Sequence, residues 1–285
     1  MDNLLNKKRS AMTVAVSIVI GFLLSTFVAL LLEKFSYGVF IYQSVQPLLF
    51  IGVSLFFAYK YGNGVKNTLF VKGFKPKYLI YVLVLFFGLF FGLGYINQTV
   101  FSSVEASFNI SINNFGDYFL YALTLAVAPA TGEELLFRGL ALFAITAYLD
   151  NNGQNGYGIK NDLIISCVIG LTFALYHKSL SQLFYQFFYG FSLTLIVIRS
   201  GSIFPAIIMH LLNNLVIITV YYINPNLTLF NIPLCIVGVI VFMLSVFILV
   251  FEGRKNVGVK INYSNVLPYF ALAGGFSLVM LLMFI

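Results

Sequence analysis

The chain has 285 residues, of which 60% are hydrophobic and only 9% are charged, and its net charge is +7. A soluble globular domain carries about 25% charged residues, so this composition excludes that class of protein. Apolar runs recur along the whole length, and the longer ones can cross a hydrocarbon core about 30 Å thick. The composition predicts an integral membrane protein in contact with the lipid bilayer, whose basic residues report topology and indicate no nucleic-acid partner.

The apolar runs predict an all-α fold, a polytopic transmembrane helical bundle of about eight or nine segments in a single domain, residues 1–285. They cover approximately 11–32, 39–59, 78–96, 117–149, 163–177, 183–198, 203–223, 228–251 and 266–285. The fourth is too long for one simple crossing, and we expect a break or kink at Pro129. In the third, Gly88 and Gly92 have the spacing of small residues at close helix contacts.

The basic residues predict which side of the membrane each loop occupies. With the amino terminus in the cytoplasm, the predicted inner loops hold 13 of the 16 lysines and arginines. The outer loops hold Lys34 and Lys178, and Arg138 lies within the membrane. This division follows the positive-inside rule. We expect the protein to lie in a plasma membrane, and we favour that of a bacterium.

Ionisable side chains inside a bilayer are costly unless they are paired or face water, so they mark candidate functional sites. Among the acidic residues, only Glu133 and Glu134 lie well inside a predicted span. The chain has two histidines, His177 and His210, and each lies within or at the end of a predicted span. No histidine is placed in a loop.

Helical spacing indicates which of these groups share a face. Glu134 and Arg138 are four residues apart and can form an ion pair that lowers the cost of burying either. Glu133 points about 100° away from Glu134 and remains available for another role. The same spacing of four places two further pairs on one face each, Phe173 with His177 and His210 with Asn214.

Depth in the membrane can be counted from the predicted inner surface at about 1.5 Å per residue. Glu133 and His177 then lie roughly 24 and 21 Å deep, and His210 and Asn214 roughly 10 and 16 Å. Taken singly, each group is equally consistent with a packing contact between helices. Together they can activate water as a general base and donate hydrogen bonds to an oxyanion, at a site enclosed by the fourth to seventh segments.

Three motifs in this part of the chain resemble those of the CPBP intramembrane proteases, a family that includes the type II CAAX prenyl endopeptidases and the bacteriocin-processing and immunity proteins. They are EExxxR, present as EELLFR from Glu133; FxxxH, present as FALYH from Phe173; and HxxxN, present as HLLNN from His210. Their order and separation match the family. The resemblance covers roughly residues 117–220, which are predicted to form the catalytic core.

The resemblance implies a protease with a defined set of site residues. Glu133 and His177 would activate water for attack on a peptide carbonyl, and His210 and Asn214 would stabilise the tetrahedral oxyanion. The supporting residues would be Glu134, Arg138 and Phe173.

Metal dependence stays open at this point. Glu133, His177 and His210 can in principle hold Zn²⁺ with a fourth position for water. The HExxH spacing of zinc proteases is absent, and metal-independent activation of water, with no cofactor, is favoured.

The sequence thus predicts an intramembrane endopeptidase that acts on a peptide or protein at the membrane, prenylated or unmodified. Membrane-peptide processing and bacteriocin immunity are the favoured roles. The alternative is a membrane protein without proteolytic activity. It would be a transporter in which Glu133 and the histidines relay protons, or a scaffold that binds its partner.

Overall fold

The structure of the protein is a computed structural model, which describes residues 23–24, 27–28, 31, 39–60, 62, 64–101, 112–149, 159–177, 179–224 and 230–252. From residue 39 onward the described residues form eight helices and no strand, which confirms the predicted all-α membrane bundle. The predicted segment 266–285 and most of 11–32 lie outside the described residues.

The helices follow the predicted apolar segments closely. They are α1 (Val39–Lys60), the short α2 (Val65–Thr68), α3 (Lys77–Phe101), α4 (115–149), α5 (Ile159–Tyr176), α6 (Leu183–Ser200), α7 (Phe204–Ile223) and α8 (Ile232–Phe251). By length and apolar composition, five of the described helices can each cross a membrane: α3, α5, α6, α7 and α8. The protein is therefore an integral membrane protein.

Helix α4 is helical throughout and does not break at Pro129. The irregularity expected there takes the form of two π-helical stretches, Ala122–Val127 and Leu135–Ala141, one on each side of the proline. A further π-helical stretch, Gly88–Leu93, lies in α3. π-helical turns inside α-helices occur frequently at functional sites. The second stretch of α4 begins directly after Glu134.

The helix ends have local causes in the sequence. Asn114 precedes α4, and its side chain accepts a hydrogen bond from the Asp117 backbone N–H at 3.0 Å. The Asp117 carboxylate in turn accepts from the Asn113 backbone N–H at 3.0 Å, so the two side chains cap the helix reciprocally. Helix α6 ends at Gly201, whose φ of 67° is the left-handed conformation that glycine adopts most readily.

One arginine fastens three helices near the end of α6. The Arg199 side chain forms a buried ion pair with Asp162 on α5 and donates to the backbone carbonyls of Leu249 and Val250 at 2.7 Å each. Those two carbonyls belong to the last turn of α8, where an α-helix leaves its carbonyls without intrahelical partners. The pair thus sets the relative height of α5, α6 and α8.

Glycines allow α3 and α8 to touch along their backbones. A Cβ atom added at Gly92 would lie 2.6 Å from the backbone nitrogen of Val239, and one at Gly88 would lie 2.6 Å from that of Phe242. On the facing helix, a Cβ at Gly238 would lie 2.5 Å from the Gly92 nitrogen. The close helix contact predicted from the spacing of Gly88 and Gly92 is therefore confirmed.

This contact predicts the effect of a single added methyl group. Gly238→Ala should lower the free energy of unfolding by about 1–3 kcal/mol, because the Cβ has only backbone to push against. Gly52→Ala on α1 is the matched control, since its Cβ meets no atom within 4 Å. Thermal unfolding of both variants in detergent tests this, and equal transition temperatures would contradict it.

Candidate active site

The first motif lies at the middle of α4 and is removed from solvent and lipid. Glu134 and Arg138 are fully buried, and 8% of the surface of Glu133 is exposed. Gly132 lets α1 approach this turn closely, because a Cβ there would lie 2.4 Å from the Pro47 carbonyl oxygen. Helix α1 therefore packs closely against the residue that precedes the acidic pair.

The Glu134 carboxylate connects two of the motifs. Its Oε1 atom accepts a hydrogen bond from Arg138 Nη1 at 2.9 Å, which is the ion pair predicted from the spacing. The same oxygen accepts from His210 Nδ1 at 2.8 Å, across 76 residues of sequence. Arg138 Nη2 donates to the Gly190 carbonyl at 3.1 Å. One carboxylate oxygen therefore joins α4 to α7, and its arginine joins α4 to α6.

The Phe173 ring brings the second motif to the same place. The ring is fully buried, and the Arg138 guanidinium lies over it at 4.3 Å from the centroid. Its centroid is 4.6 Å from that of the His177 ring and 6.1 Å from that of the His210 ring. Both histidines therefore pack edge-on against one phenylalanine, and all three motifs meet there.

Both histidines are oriented through their Nδ1 atoms. His177 Nδ1 donates to the Phe173 carbonyl at 2.9 Å, and His210 Nδ1 donates to Glu134. In the neutral form, each ring then carries its lone pair on Nε2. His210 Nε2 lies 4.0 Å from Oε2 of Glu133, which makes no hydrogen bond to the described protein residues. Glu133 therefore faces His210 and is separate from the Glu134 pair, as the spacing predicted.

Asn214 occupies a different position from the other motif residues. Its amide nitrogen donates to the Leu125 carbonyl on α4 at 3.0 Å, and its amide oxygen accepts from Asn213 at 3.1 Å. It shares α7 with His210, but its amide nitrogen is directed to the π-helical stretch of α4 rather than to Glu134. The structure thus brings the other six predicted site residues together, with Arg138 and both histidines directly against Phe173, and places Asn214 beside them, against α4.

Three residues of this region were missed in the sequence. Gly190 supplies the second partner of Arg138, and a Cβ at that position would lie 3.2 Å from Arg138 Nη2. The Tyr189 ring stands edge-on to His210 with centroids 5.6 Å apart. The Tyr185 hydroxyl donates to Asn213 at 2.8 Å. Their only signal was the run of aromatic residues with one glycine in α6, which is equally typical of lipid-facing and core positions.

The zinc alternative requires three donor side chains that converge on one point. Among the residues that the structure describes, no three His, Cys, Asp or Glu side chains are grouped so that they hold a metal ion. Both Nδ1 atoms are held by protein acceptors, which leaves the two Nε2 atoms and Oε2 of Glu133 as the candidate donors. These three donors are not grouped closely enough to hold Zn²⁺ together in this arrangement.

Fold and site together define a helical integral membrane protein with a buried glutamate–arginine–histidine cluster. The model of the family described as type II CAAX prenyl endopeptidase Rce1-like matches residues 115–216. This stretch includes all three motifs, so the family resemblance predicted from them is confirmed. The match supports a CAAX-type intramembrane endopeptidase in general. No curated protein and no solved structure matches the chain.

The shared carboxylate predicts a stability difference between single and double variants. Arg138→Met leaves the Glu134 carboxylate buried without its cation, and removing one partner of a buried pair costs about 3–5 kcal/mol. Glu134→Gln combined with Arg138→Met removes both charges and should lose less. Thermal unfolding in detergent measures both, with Lys72→Met at an exposed position as control. A double variant that is less stable than Arg138→Met would contradict the prediction.

Proposed function

We propose that this protein is an intramembrane endopeptidase that hydrolyses a peptide bond in a membrane-associated or prenylated peptide or protein. Residues 117–220 form its catalytic core. The observation that carries the proposal is the pairing of Glu133 with His210 at 4.0 Å inside a buried cluster that Glu134 and Arg138 orient. A carboxylate that faces a histidine and is spared from the structural ion pair is suited to take a proton from water.

Water activation is assigned to Glu133 and His177. The oxygen of the attacking water forms a bond to the peptide carbonyl carbon. Glu133 Oε2 accepts a proton from that water as it attacks. His177 presents Nε2 as a second acceptor, because its Nδ1 proton is held by the Phe173 carbonyl. The C–N bond then breaks, and the proton on Glu133 passes to the leaving amine. The step consumes one water and yields a carboxyl group and an amine.

Stabilisation of the tetrahedral oxyanion is assigned to His210 and Asn214. The Glu134 carboxylate accepts from Nδ1 and fixes the orientation of the His210 ring, whose Nε2 can donate to the oxyanion when it carries a proton. The Asn214 amide nitrogen carries two N–H groups, and the Leu125 carbonyl takes one of them. Donors fixed in a site that excludes water lower the energy of a developing negative charge more than they do in water.

Replacing Glu133 by its uncharged isostere tests the proposal. Glu133→Gln should lower the cleavage rate by about 10²–10⁴-fold, which is the usual contribution of a general base. Purified wild type and variant are incubated in detergent with a library of prenylated and unmodified peptides, and products are followed by mass spectrometry. Glu252→Gln is the matched control, because Glu252 pairs with Lys77 at the far end of α8.

Three results would count against this proposal. Undiminished cleavage by Glu133→Gln would exclude Glu133 as the base. If folded wild type cuts no library peptide and Glu133→Gln abolishes proton-coupled transport in vesicles, the transporter alternative replaces the protease. If neither activity is found and the biological phenotype survives Glu133→Ala, the scaffold alternative replaces it.

A chelator distinguishes the two ways of activating water. Because the donor set does not fit a metal ion, the cleavage rate of the wild type should be unchanged by prolonged treatment with a zinc chelator. Mass spectrometry of the same peptides measures it. Activity that is lost on chelation and restored by added Zn²⁺ would instead assign Glu133, His177 and His210 as ligands.

A further inference from the structure

A line of hydrogen bonds runs from α6 through α7 to α4 beside the histidine cluster. The Tyr185 hydroxyl donates to Asn213 Oδ1 at 2.8 Å, and Asn213 Nδ2 donates to Asn214 Oδ1 at 3.1 Å. Asn214 Nδ2 donates to the Leu125 carbonyl at 3.0 Å. Only Asn214 belongs to a recognised motif. The other members of the line have no role in the proposed reaction so far.

The line has a direction, which is fixed by the Leu125 carbonyl at one end and supported by the Tyr185 hydroxyl at the other. A hydroxyl that donates to Asn213 requires the amide oxygen to face Tyr185, so the Asn213 NH₂ group must face Asn214. The same reasoning then turns the Asn214 oxygen toward Asn213 and its NH₂ group toward α4. The Leu125 carbonyl can only accept, so it holds the Asn214 nitrogen from the far end, and the Tyr185 hydroxyl holds the Asn213 amide that bonds to the Asn214 oxygen.

The far end of the line is a carbonyl that an α-helix would leave without a partner. Pro129 has no backbone N–H, so the Leu125 carbonyl four residues earlier lacks its usual α-helical donor. The Asn214 amide supplies one instead. This bond uses one of the two Asn214 N–H groups, and it fixes the direction of the second.

Tyr185 is itself held in place from two sides. Its ring stacks on Tyr189 with an interplanar angle of 13° and a centroid distance of 5.7 Å. Its backbone N–H donates to the Asn97 side chain on α3 at 3.3 Å. Tyr189 also contacts His210, so the two tyrosines connect α6 to both catalytic candidates on α7.

We infer that Tyr185 is a positioning residue for this site, which acts through Asn213 to hold the Asn214 amide with its nitrogen toward the reacting carbonyl. The inference rests on the proposed proteolytic function and on the assignment of Asn214 to the oxyanion. Tyr185 touches no reacting atom in this scheme. Its contribution is to the orientation of a donor that acts on the transition state.

The test is a double-mutant cycle on the library peptide that the wild type cleaves fastest. Tyr185→Phe keeps the ring stack and removes only the hydroxyl, and kcat should fall about tenfold with KM unchanged, as expected for a lost hydrogen bond of ordinary strength. In an Asn214→Ala background the same change should have no further effect, because the group that it positions is gone. Asn213→Leu breaks the line at its centre and should reproduce both results.

Tyr118→Phe is the matched control. Its hydroxyl also joins two helices of the site, since it lies 3.1 Å from Thr219 Oγ1 on α7, but it takes no part in the line. Its kcat should equal that of the wild type. Thermal unfolding verifies that each variant is folded.

The outcomes separate the two proposals. If the wild type cleaves and Tyr185→Phe keeps its kcat, or loses the same factor with and without Asn214, the positioning role is overturned while the protease stands. If Tyr185→Phe does not fold, Asn213→Leu decides by the same criteria. If the wild type cleaves nothing, the proposed function and the inference fall together.

Discussion

The arrangement of this site depends on a single carboxylate oxygen, Oε1 of Glu134, which accepts from both Arg138 and His210. A buried charge is tolerated only when it is paired and hydrogen-bonded. The carboxylate therefore requires its arginine, and the arginine requires the Gly190 carbonyl on α6. Three helices are joined by the need to satisfy one ion pair. The consequence is that Glu133, one residue earlier, takes no part in this ion pair.

Close approach of the helices makes this pairing geometrically possible. Gly170 and Gly190 face each other across α5 and α6, where a Cβ at Gly190 would lie 3.0 Å from the Gly170 Cα. A larger side chain at either position would separate the helices and withdraw the Gly190 carbonyl from Arg138. The small residues thus act on the site without touching substrate, because they set the distance between the backbones that carry it.

Sequence reasoning was strongest where a single helix determines the answer. Apolar length predicted the spans, and the spacing of four predicted the Glu134 to Arg138 pair and the free Glu133. It was weakest for contacts between helices, such as His210 with Glu134 or Tyr185 with Asn213, because hydropathy carries no record of which faces meet. Sequence reasoning also did not predict that α4 continues through Pro129. The π-helical turns and the Asn214 amide compensate for the proline only once α7 is in place.

His177 combines two roles at the end of α5. Its backbone N–H bonds to the Ala174 carbonyl, three residues back, and so leaves the Phe173 carbonyl to the imidazole ring. The ring therefore serves as the carboxyl-terminal cap of the helix as well as a candidate proton acceptor. The two roles are thermodynamically linked. Rotation of the ring away from the Phe173 carbonyl removes the cap of the last turn, and fraying of the last turn releases the ring from its fixed orientation. In this protein, the same equilibrium therefore governs whether the end of α5 is folded and whether the His177 ring is oriented for proton transfer.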